Sequence, residues 1–256
     1  MEINVKCPAK INLDLKVFPK RKDGFHPIKS VMQTIDLFDY VKIKLNEGKG
    51  IILSGNSHEI PYDEKNICYK AAKLFLEKIQ KECKIEIYIE KNIPVCAGLA
   101  GGSTDAAGVL FGLNKLLNEP LSATELHNLA SQLGSDLNFC LAGGCKLCEG
   151  RGENLTNLEF IESPITLVKP KNLQISTKYA YDKFDTLKEK SNMPNDLEFA
   201  LLNDFKELNF LHSKGLQMSG SGPTYFIKKE KLNLKLDENY QIIENLKTIN
   251  HGVIEA

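Results

Sequence analysis

The chain has 256 residues, 42% of them hydrophobic, and 33 basic side chains against 33 acidic ones, for a formal net charge of zero. That length buries one large core or two modest, closely packed ones, and the composition excludes disorder. Neutrality leaves no global field for a nucleic-acid backbone, so any anion must be bound locally, and no apolar run approaches the ~20 residues that cross a bilayer.

Lys10 to Val17 alternates strictly, predicting a strand with Ile11, Leu13, Leu15 and Val17 on one face and Lys10, Asn12, Asp14 and Lys16 on the other. Lys10 and Asn12 therefore point the same way. Alternation at Val41 to Leu45 and Ile85 to Ile89 predicts antiparallel strands, with a shorter one at Ile51 to Leu53. Between them Ile67, Ala71, Leu74, Phe75 and Lys78 share one helical face, predicting a helix over Asn66 to Glu82.

Pro94 to Gly108 reads Pro-Val-Cys-Ala-Gly-Leu-Ala-Gly-Gly-Ser-Thr-Asp-Ala-Ala-Gly, a glycine-rich loop directly before a helix. Without Cβ atoms, Gly98, Gly101 and Gly102 allow positive φ and a close approach to an anion, and the helix adds its unpaired first-turn N–H groups. Ser103 or Thr104 is the expected N-cap. Ala106, Val109, Leu110, Leu113, Leu116 and Leu117 then form an apolar stripe that anchors the loop to a core. The loop lacks the Gly-Lys-Ser/Thr ending of a Walker A motif and the order of a dinucleotide-binding turn, so it is a third type of phosphate loop.

A second helix opens at Ser122 with Glu125 three residues on, a capping box, and stops at Gly134. Gly134 to Cys140 starts a short helical piece with Asp136 in its first turn, ended by Gly143-Gly144. A new apolar strand, Ile165 to Val168, places a boundary near residue 150, giving units of 1–150 and 151–256. Asn195 to Leu208 predicts a helix, and a small-residue loop from Leu216 to Pro223 precedes a strand at Thr224 to Ile227. The tail from Lys228 is ambiguous between helix and strand. The seven cysteines are odd in number and scattered, and the start Met-Glu-Ile-Asn-Val-Lys lacks a long apolar stretch, which predicts a reduced, cytoplasmic protein. Cys145 and Cys148 lack a second pair and a histidine at ligand spacing, so they are expected to be structural thiols rather than metal ligands.

Three separated stretches, Pro8-Ala9-Lys10-Ile11-Asn12-Leu13, the Pro94 to Ala107 loop, and Met218-Ser219-Gly220-Ser221-Gly222-Pro223, resemble the GHMP small-molecule kinases in content and order. Arg21-Lys22-Asp23-Gly24-Phe25-His26 and Leu133-Gly134-Ser135-Asp136-Leu137-Asn138-Phe139 resemble a sub-family of isoprenoid precursor biosynthesis. The resemblance covers nearly the whole chain. It implies an α+β, two-domain GHMP kinase fold: an N-terminal domain like ribosomal protein domain 2, a ferredoxin-like C-terminal domain and an active-site cleft between them. It also implies ATP-dependent phosphorylation of the 2-hydroxyl of a small molecule carrying a cytidine diphosphate moiety, with Mg²⁺; neutral charge and the lack of a long apolar run add the expectation of no nucleic-acid or membrane partner, and a monomer or weak homodimer is expected.

Phosphoryl transfer needs a clamped triphosphate, a charge-spreading metal and a proton acceptor. Pro94, Val95, Cys96, Ala97, Gly98, Leu99, Ala100, Gly101, Gly102, Ser103 and Thr104 are the expected ATP-phosphate loop, and family position adds Asn66 and Lys91 beside the adenine. Asp136 is the expected general base, against the plain alternative that it caps its helix, and Lys10 is expected to orient it and stabilise charge on the moving phosphoryl group. Asn12 is expected to meet the substrate alcohol, and His26 the cytosine edge. Phe25 and Tyr181 are the expected stacking pair, with Tyr179 and Phe184 as alternatives to Tyr181. Phe25 stands where the family has tyrosine, Ala100 where it has glycine, and Asp105 where asparagine is more usual, which adds a negative charge that a bound cation is expected to offset. Other readings are a homoserine or mevalonate type of GHMP kinase, or a catalytically silent nucleotide or substrate sensor.

Overall fold

A computed structural model describes residues 1–189 and 191–256. In chain order the elements are β1 (Glu2–Asn12), β2 (Lys16–Val17), β3 (Ile28–Asn46), β4 (Gly50–Gly55), α1 (Ile67–Ile79), β5 (Lys84–Glu90), α2 (Gly101–Leu116), α3 (Ala123–Leu133), α4 (Leu137–Ala142), β6 (Cys145–Gly150) and β7 (Asn154–Asn157). They continue with β8 (Pro164–Pro170), α5 (Thr177–Phe184), α6 (Asp196–Leu201), α7 (Lys206–Ser213), β9 (Gln217–Met218), β10 (Tyr225–Ile227), β11 (Tyr240–Lys247) and β12 (Ile254–Glu255).

The first sheet runs β12-β1-β3-β5-β4, and the long β3 also pairs with β2 and β6, with β7 beyond β6. The strand over Lys10 to Val17 is interrupted. The Asp14 carboxylate accepts the Val31 N–H at 2.6 Å in place of a ladder partner, and the chain re-enters the sheet only at β2. Val41 to Leu45 and Ile85 to Ile89 pair antiparallel as expected, whereas the strand around Ile51 to Leu53 lies parallel to β5. A parallel pair needs a crossover, and α1 supplies it. Asn66 caps α1, whose side chain accepts the Cys68 N–H. Ser122 and Glu125 form the reciprocal capping box of α3.

Helices α1, α2 and α3 cover one face of this sheet, burying Val5, Val41, Ile43, Ile87, Phe75, Leu110 and Leu113 in one cluster. The helix carrying the phosphate loop sits close to β1 because Gly108 faces Cys7. A Cβ there would lie 2.4 Å from the Cys7 Sγ. Sequence-expected Ser103 and Thr104 caps are not used. The N-cap is Ala100, at φ 59°, and the helix begins at Gly101, because the two glycines follow helical geometry instead of extending the loop.

The second sheet, β11-β8-β10-β9, is antiparallel. Helices α6 and α7 contribute Leu197, Leu201, Leu208 and Leu211 to a cluster with Val168 and Tyr225. The single helix expected over Asn195 to Leu208 is two. Asn203 and Asp204 favour turns over helix interiors, and Asp204 is held by the Tyr179 hydroxyl and Lys183. A third cluster joins the sheets, packing Ala9, Ile11, Ile35, Ile93, Ala97 and Leu99 on Ile165, Leu167 and Phe226. The boundary placed near residue 150 falls between two paired strands, since β6 pairs with β7, and β12 returns the chain terminus to β1. All seven cysteines are free. Among the described residues no helix is long and apolar enough to cross a membrane.

Candidate active site

Burial of the third cluster brings the loop before α2, the end of β1 and the loop after β9 together at the mouth of one cavity of about 1110 Å³. That exceeds the few hundred to a thousand Å³ typical of one small-molecule site, so it accommodates two ligands. Lys10 and Asn12 share a face of β1, as alternation requires. The Lys10 ammonium donates to the Asn12 Oδ1 at 2.7 Å and to the Gly98 carbonyl at 3.0 Å, and lies 3.7 Å from the Asp136 Oδ2. The Ser219 hydroxyl donates to the same Gly98 carbonyl at 3.0 Å and accepts the Asn12 N–H at 3.3 Å. Three stretches distant in sequence thus meet around one carbonyl.

The loop itself alternates in handedness. Cys96, Gly98 and Ala100 have φ of 51°, 73° and 59°, while Ala97, Leu99 and Gly101 between them are not in the positive region. Alternation of this kind turns successive N–H groups to one concave side and makes an anion cradle. Among the described residues, the N–H groups from Cys96 to Ser103 have no bonded acceptor, and the first donor in the helix is Thr104, to the Ala100 carbonyl. Only glycine fits at position 98, where a Cβ would lie 2.3 Å from the Ser219 carbonyl oxygen. Ala100 carries the strain of a left-handed residue that the glycine of other loops avoids. Pro94, Val95, Cys96, Ala97, Gly101, Gly102 and Ser103 line the cavity. Leu99 and Thr104 do not: both side chains are buried in the interior, which leaves Leu99 only its backbone N–H to offer, while the Thr104 N–H is already bonded to the Ala100 carbonyl.

Asp136 stands at the N-cap of α4 without making a side-chain cap bond, which removes the plain capping role. Its carboxylate, 29% exposed, faces the cavity beside Lys10. Asn12, expected to meet the alcohol, lines the cavity with both ends of its amide engaged by the protein. Its Oδ1 receives Lys10 and its Nδ2 donates to the Ser30 hydroxyl at 2.8 Å, so it orients the lysine.

At one end of the cavity lie Phe25, His26, Tyr181 and Arg151. The Arg151 guanidinium sits 3.9 Å above the Phe25 ring, which is 47% exposed. His26 is buried, with Nδ1 2.8 Å from the Phe18 carbonyl, Nε2 3.2 Å from the Asp185 Oδ1, and its ring 5.3 Å from that of Tyr181. Of the aromatic alternatives Tyr181 alone lines the cavity: Tyr179 turns to Asp204 and Phe205, and Phe184 packs edge-on against His26. Burial, with the Asp136 charge adding to it, pushes the Tyr181 phenol up to about 12, so it stays protonated.

Asn66 and Lys91 also border the cavity. The Asn66 amide is engaged in its cap and with the Pro61 carbonyl at 2.6 Å. Lys91 is not free for a base: its ammonium is held between the Asp39 and Asp105 carboxylates, at 2.7 Å from the Asp105 Oδ2. Burial works against that ammonium, but the charges of Asp105 and Asp39 outweigh it and hold it above the ordinary lysine value. Burial raises Asp105 well above the usual carboxylate range; Lys91 opposes the shift and the Asp39 charge adds to it, since two carboxylates share one ammonium. The cation expected to offset Asp105 is therefore a side chain of the protein.

The geometry agrees with the comparisons. The GHMP kinases N terminal domain family matches residues 66–144. The chain is 41% identical to the 4-diphosphocytidyl-2-C-methyl-D-erythritol kinase of Clostridium botulinum (strain Alaska E43 / Type E3), over 96% of this chain and 100% of that one. It is 42% identical to the protein of that name from Clostridium beijerinckii, over 88% and 90%. The chain belongs to the 4-diphosphocytidyl-2-C-methyl-D-erythritol kinase family of GHMP kinases. A crystal structure of 4-(cytidine 5'-diphospho)-2C-methyl-D-erythritol kinase superimposes on this kinase with a TM-score of 0.74 at 30% identity, over 88% of this chain and 89% of that one. The homoserine kinase of Cytophaga hutchinsonii reaches a TM-score of 0.77 over 100% and 97% at only 17% identity, a likeness of fold alone.

The sequence reading missed three residues that shape the site. Asp39, fully buried on β3, accepts the Asn92 and Ile93 N–H groups at 2.6 and 2.8 Å. Asn195 caps α6 and donates to the Met218 and Gly220 carbonyls, both at 2.9 Å, holding the loop that carries Ser219. Its capping half was legible in the Asn-Asp-Leu-Glu start of the helix, and its clamp on the loop was not. Arg151 was unmarked by any neighbour in sequence.

Proposed function

We propose that this kinase transfers the γ-phosphoryl group of ATP to the 2-hydroxyl of 4-diphosphocytidyl-2-C-methyl-D-erythritol, a step of isoprenoid precursor synthesis. The observation that carries the reading is the meeting of Lys10, Asp136 and the Gly98 carbonyl beside a cradle of unbonded N–H groups. The cradle and the positive end of α2 hold the triphosphate. Asn66 and Lys91 border the nucleoside end, Asn66 through its position and Lys91 through the loop it anchors. At the acceptor end, the Phe25 and Tyr181 rings and the His26 edge receive the cytosine, and Arg151 stands near for the diphosphate.

In this reading Asp136 accepts the proton of the attacking hydroxyl, and its freedom from any cap bond leaves it available. Lys10, fixed by Asn12 and Gly98, meets the charge developing on the transferred group at no reorganisation cost. Mg²⁺ would spread charge over the phosphate oxygens, and the Ser103 hydroxyl, a hard oxygen donor in the cavity wall, suits it, with phosphate and water filling most of its shell. The residues on the first sheet act as the nucleotide unit, and those from residue 151 onward close the acceptor side.

Incubation with ATP, Mg²⁺ and 4-diphosphocytidyl-2-C-methyl-D-erythritol should release ADP and yield a phosphomonoester at the 2-position by ³¹P NMR. Absence of ADP overturns the reading. Homoserine or mevalonate as acceptor should give none, and turnover on either in place of the cytidine compound would assign a different kinase.

A further inference from the structure

The two ends of the phosphate loop are joined through one buried cluster. At the entry, the Asp39 Oδ1 accepts the N–H groups of Asn92 and Ile93, the residues leading into Pro94. At the exit, Asp105 lies in the second turn of α2, and the Lys91 ammonium links its Oδ2 to that of Asp39. All three side chains are almost wholly buried, and among the described residues the Asp105 Oδ1 has no hydrogen-bond partner. Lys91 and Asp105 also line the cavity, and a Cβ on Gly101, at the first turn of α2, would lie 3.0 Å from the Lys91 Nζ.

Such a cluster is a poor device for stability alone. Two carboxyl groups sharing one ammonium leave one without a counter-charge out of water, and an apolar filling of the same volume is commonly as stable. The cluster does, however, fix a distance: the separation of the residues entering and leaving a loop whose curvature sets where its N–H groups converge. We infer that Asp39, Lys91 and Asp105 are positioning residues for the nucleotide, tying the loop's entry to its exit so that the cradle is already shaped when ATP arrives. They act through the loop backbone and touch no reacting atom. The inference rests on the reading of the loop as the ATP-phosphate site.

The deciding experiment compares Asp105→Ala with Asp105→Asn in steady-state kinetics, with KM for ATP, KM for the cytidine substrate and kcat measured separately. Asp105→Ala cuts the exit tie but leaves Lys91 paired with Asp39. It should raise KM for ATP about tenfold, move kcat at saturating ATP by less than about threefold, and leave KM for the alcohol unchanged. Asp105→Asn keeps an oxygen for the Lys91 ammonium and should bring KM for ATP back to within about threefold of the parent. Should Asp105→Ala fail to fold, Asp39→Asn, isosteric, still able to accept both N–H groups through its Oδ1 but with an amide nitrogen where the Lys91 ammonium binds, should show the same split confined to ATP. An unchanged KM for ATP in the folded variant, or an Asn variant as impaired as the Ala one, overturns the inference while leaving the kinase reading intact. Failure of the parent protein to use ATP would instead overturn the kinase reading.

Discussion

Asp136→Asn separates chemistry from binding in this site. The substitution keeps the shape of the side chain and removes its ability to take a proton. The carboxylate makes no cap bond to α4, so the melting temperature should stay within a degree or two of the parent. Lys10 keeps its bonds to Asn12 at 2.7 Å and to Gly98 at 3.0 Å, so the phosphate cradle is undisturbed. At 3.7 Å and an effective dielectric constant of about 20, the lost attraction between Lys10 and Asp136 is about 4.5 kcal/mol before solvation offsets it. Its removal leaves the ammonium's third N–H to the phosphates, so KM for ATP should be unchanged or up to about threefold lower. Loss of a general base costs about 10²–10⁴ in rate, or about 3–5 kcal/mol of transition-state stabilisation. A coupled ADP-release assay should therefore show kcat down by about 10³. A fall of less than about tenfold, with folding intact, would refute the assignment of Asp136 as proton acceptor.

Gly98→Ala places a Cβ 2.3 Å from the Ser219 carbonyl oxygen and 3.0 Å from the Gly222 nitrogen, both backbone atoms, at a φ of 73°. It should lower kcat/KM for ATP by about 100-fold, about 3 kcal/mol, and a variant with parental kinetics would contradict the packing of the two loops. Ala100→Gly relieves a left-handed alanine at φ 59° and should stabilise the fold by about 1 kcal/mol, seen by calorimetry as a melting temperature about 2–4 °C higher. Burial holds Asp105 well above the usual carboxylate range, so its ionisation weighs on the folded state more than on the unfolded chain. Native stability then declines as pH climbs from about 4 toward that raised value, and Asp105→Asn, with nothing to ionise, should gain on the parent over the same interval; a gap in melting temperature that does not change with pH would disprove this.

Where local chemistry decides structure, it was legible. The Ser122–Glu125 box, the Gly134 stop and the apolar stripe of α2 each depend on residues within a turn of one another, and each forms as expected. Two of the departures come from side chains engaged by distant parts of the fold. Asp14 takes the Val31 N–H and ends the alternation that predicted a strand through Val17. Asn203 and Asp204 break the helix after Leu202, with Asp204 drawn to α5. The tail, ambiguous in sequence, gains its strands only by pairing: β11 along β8 and β12 along β1.

For the site the division follows distance as well. Alternation alone placed Lys10 and Asn12 on one face, and the order of the three small-residue stretches implied their meeting. The Lys10–Asp136 contact then follows once the fold exists. What sequence could not disclose is the partner of each buried charge. Asp105 read as an excess negative group awaiting a bound cation, and Lys91 as a residue beside the adenine by family position, because each was read without the other. Placed 2.7 Å apart with Asp39 on the far side, the two readings cancel, since the ammonium thought to serve the ligand already serves the protein. With two carboxyl groups on one ammonium the cluster has no net positive charge to offer, so on the proposed reading the cradle's own N–H groups, the α2 terminus and Lys10 supply the attraction for ATP. The same positions explain why a left-handed alanine is tolerated at residue 100. Its strain, about 1–2 kcal/mol, is set against a helix start held by two carboxylates through one lysine, and a backbone pinned at both ends cannot relax to escape it.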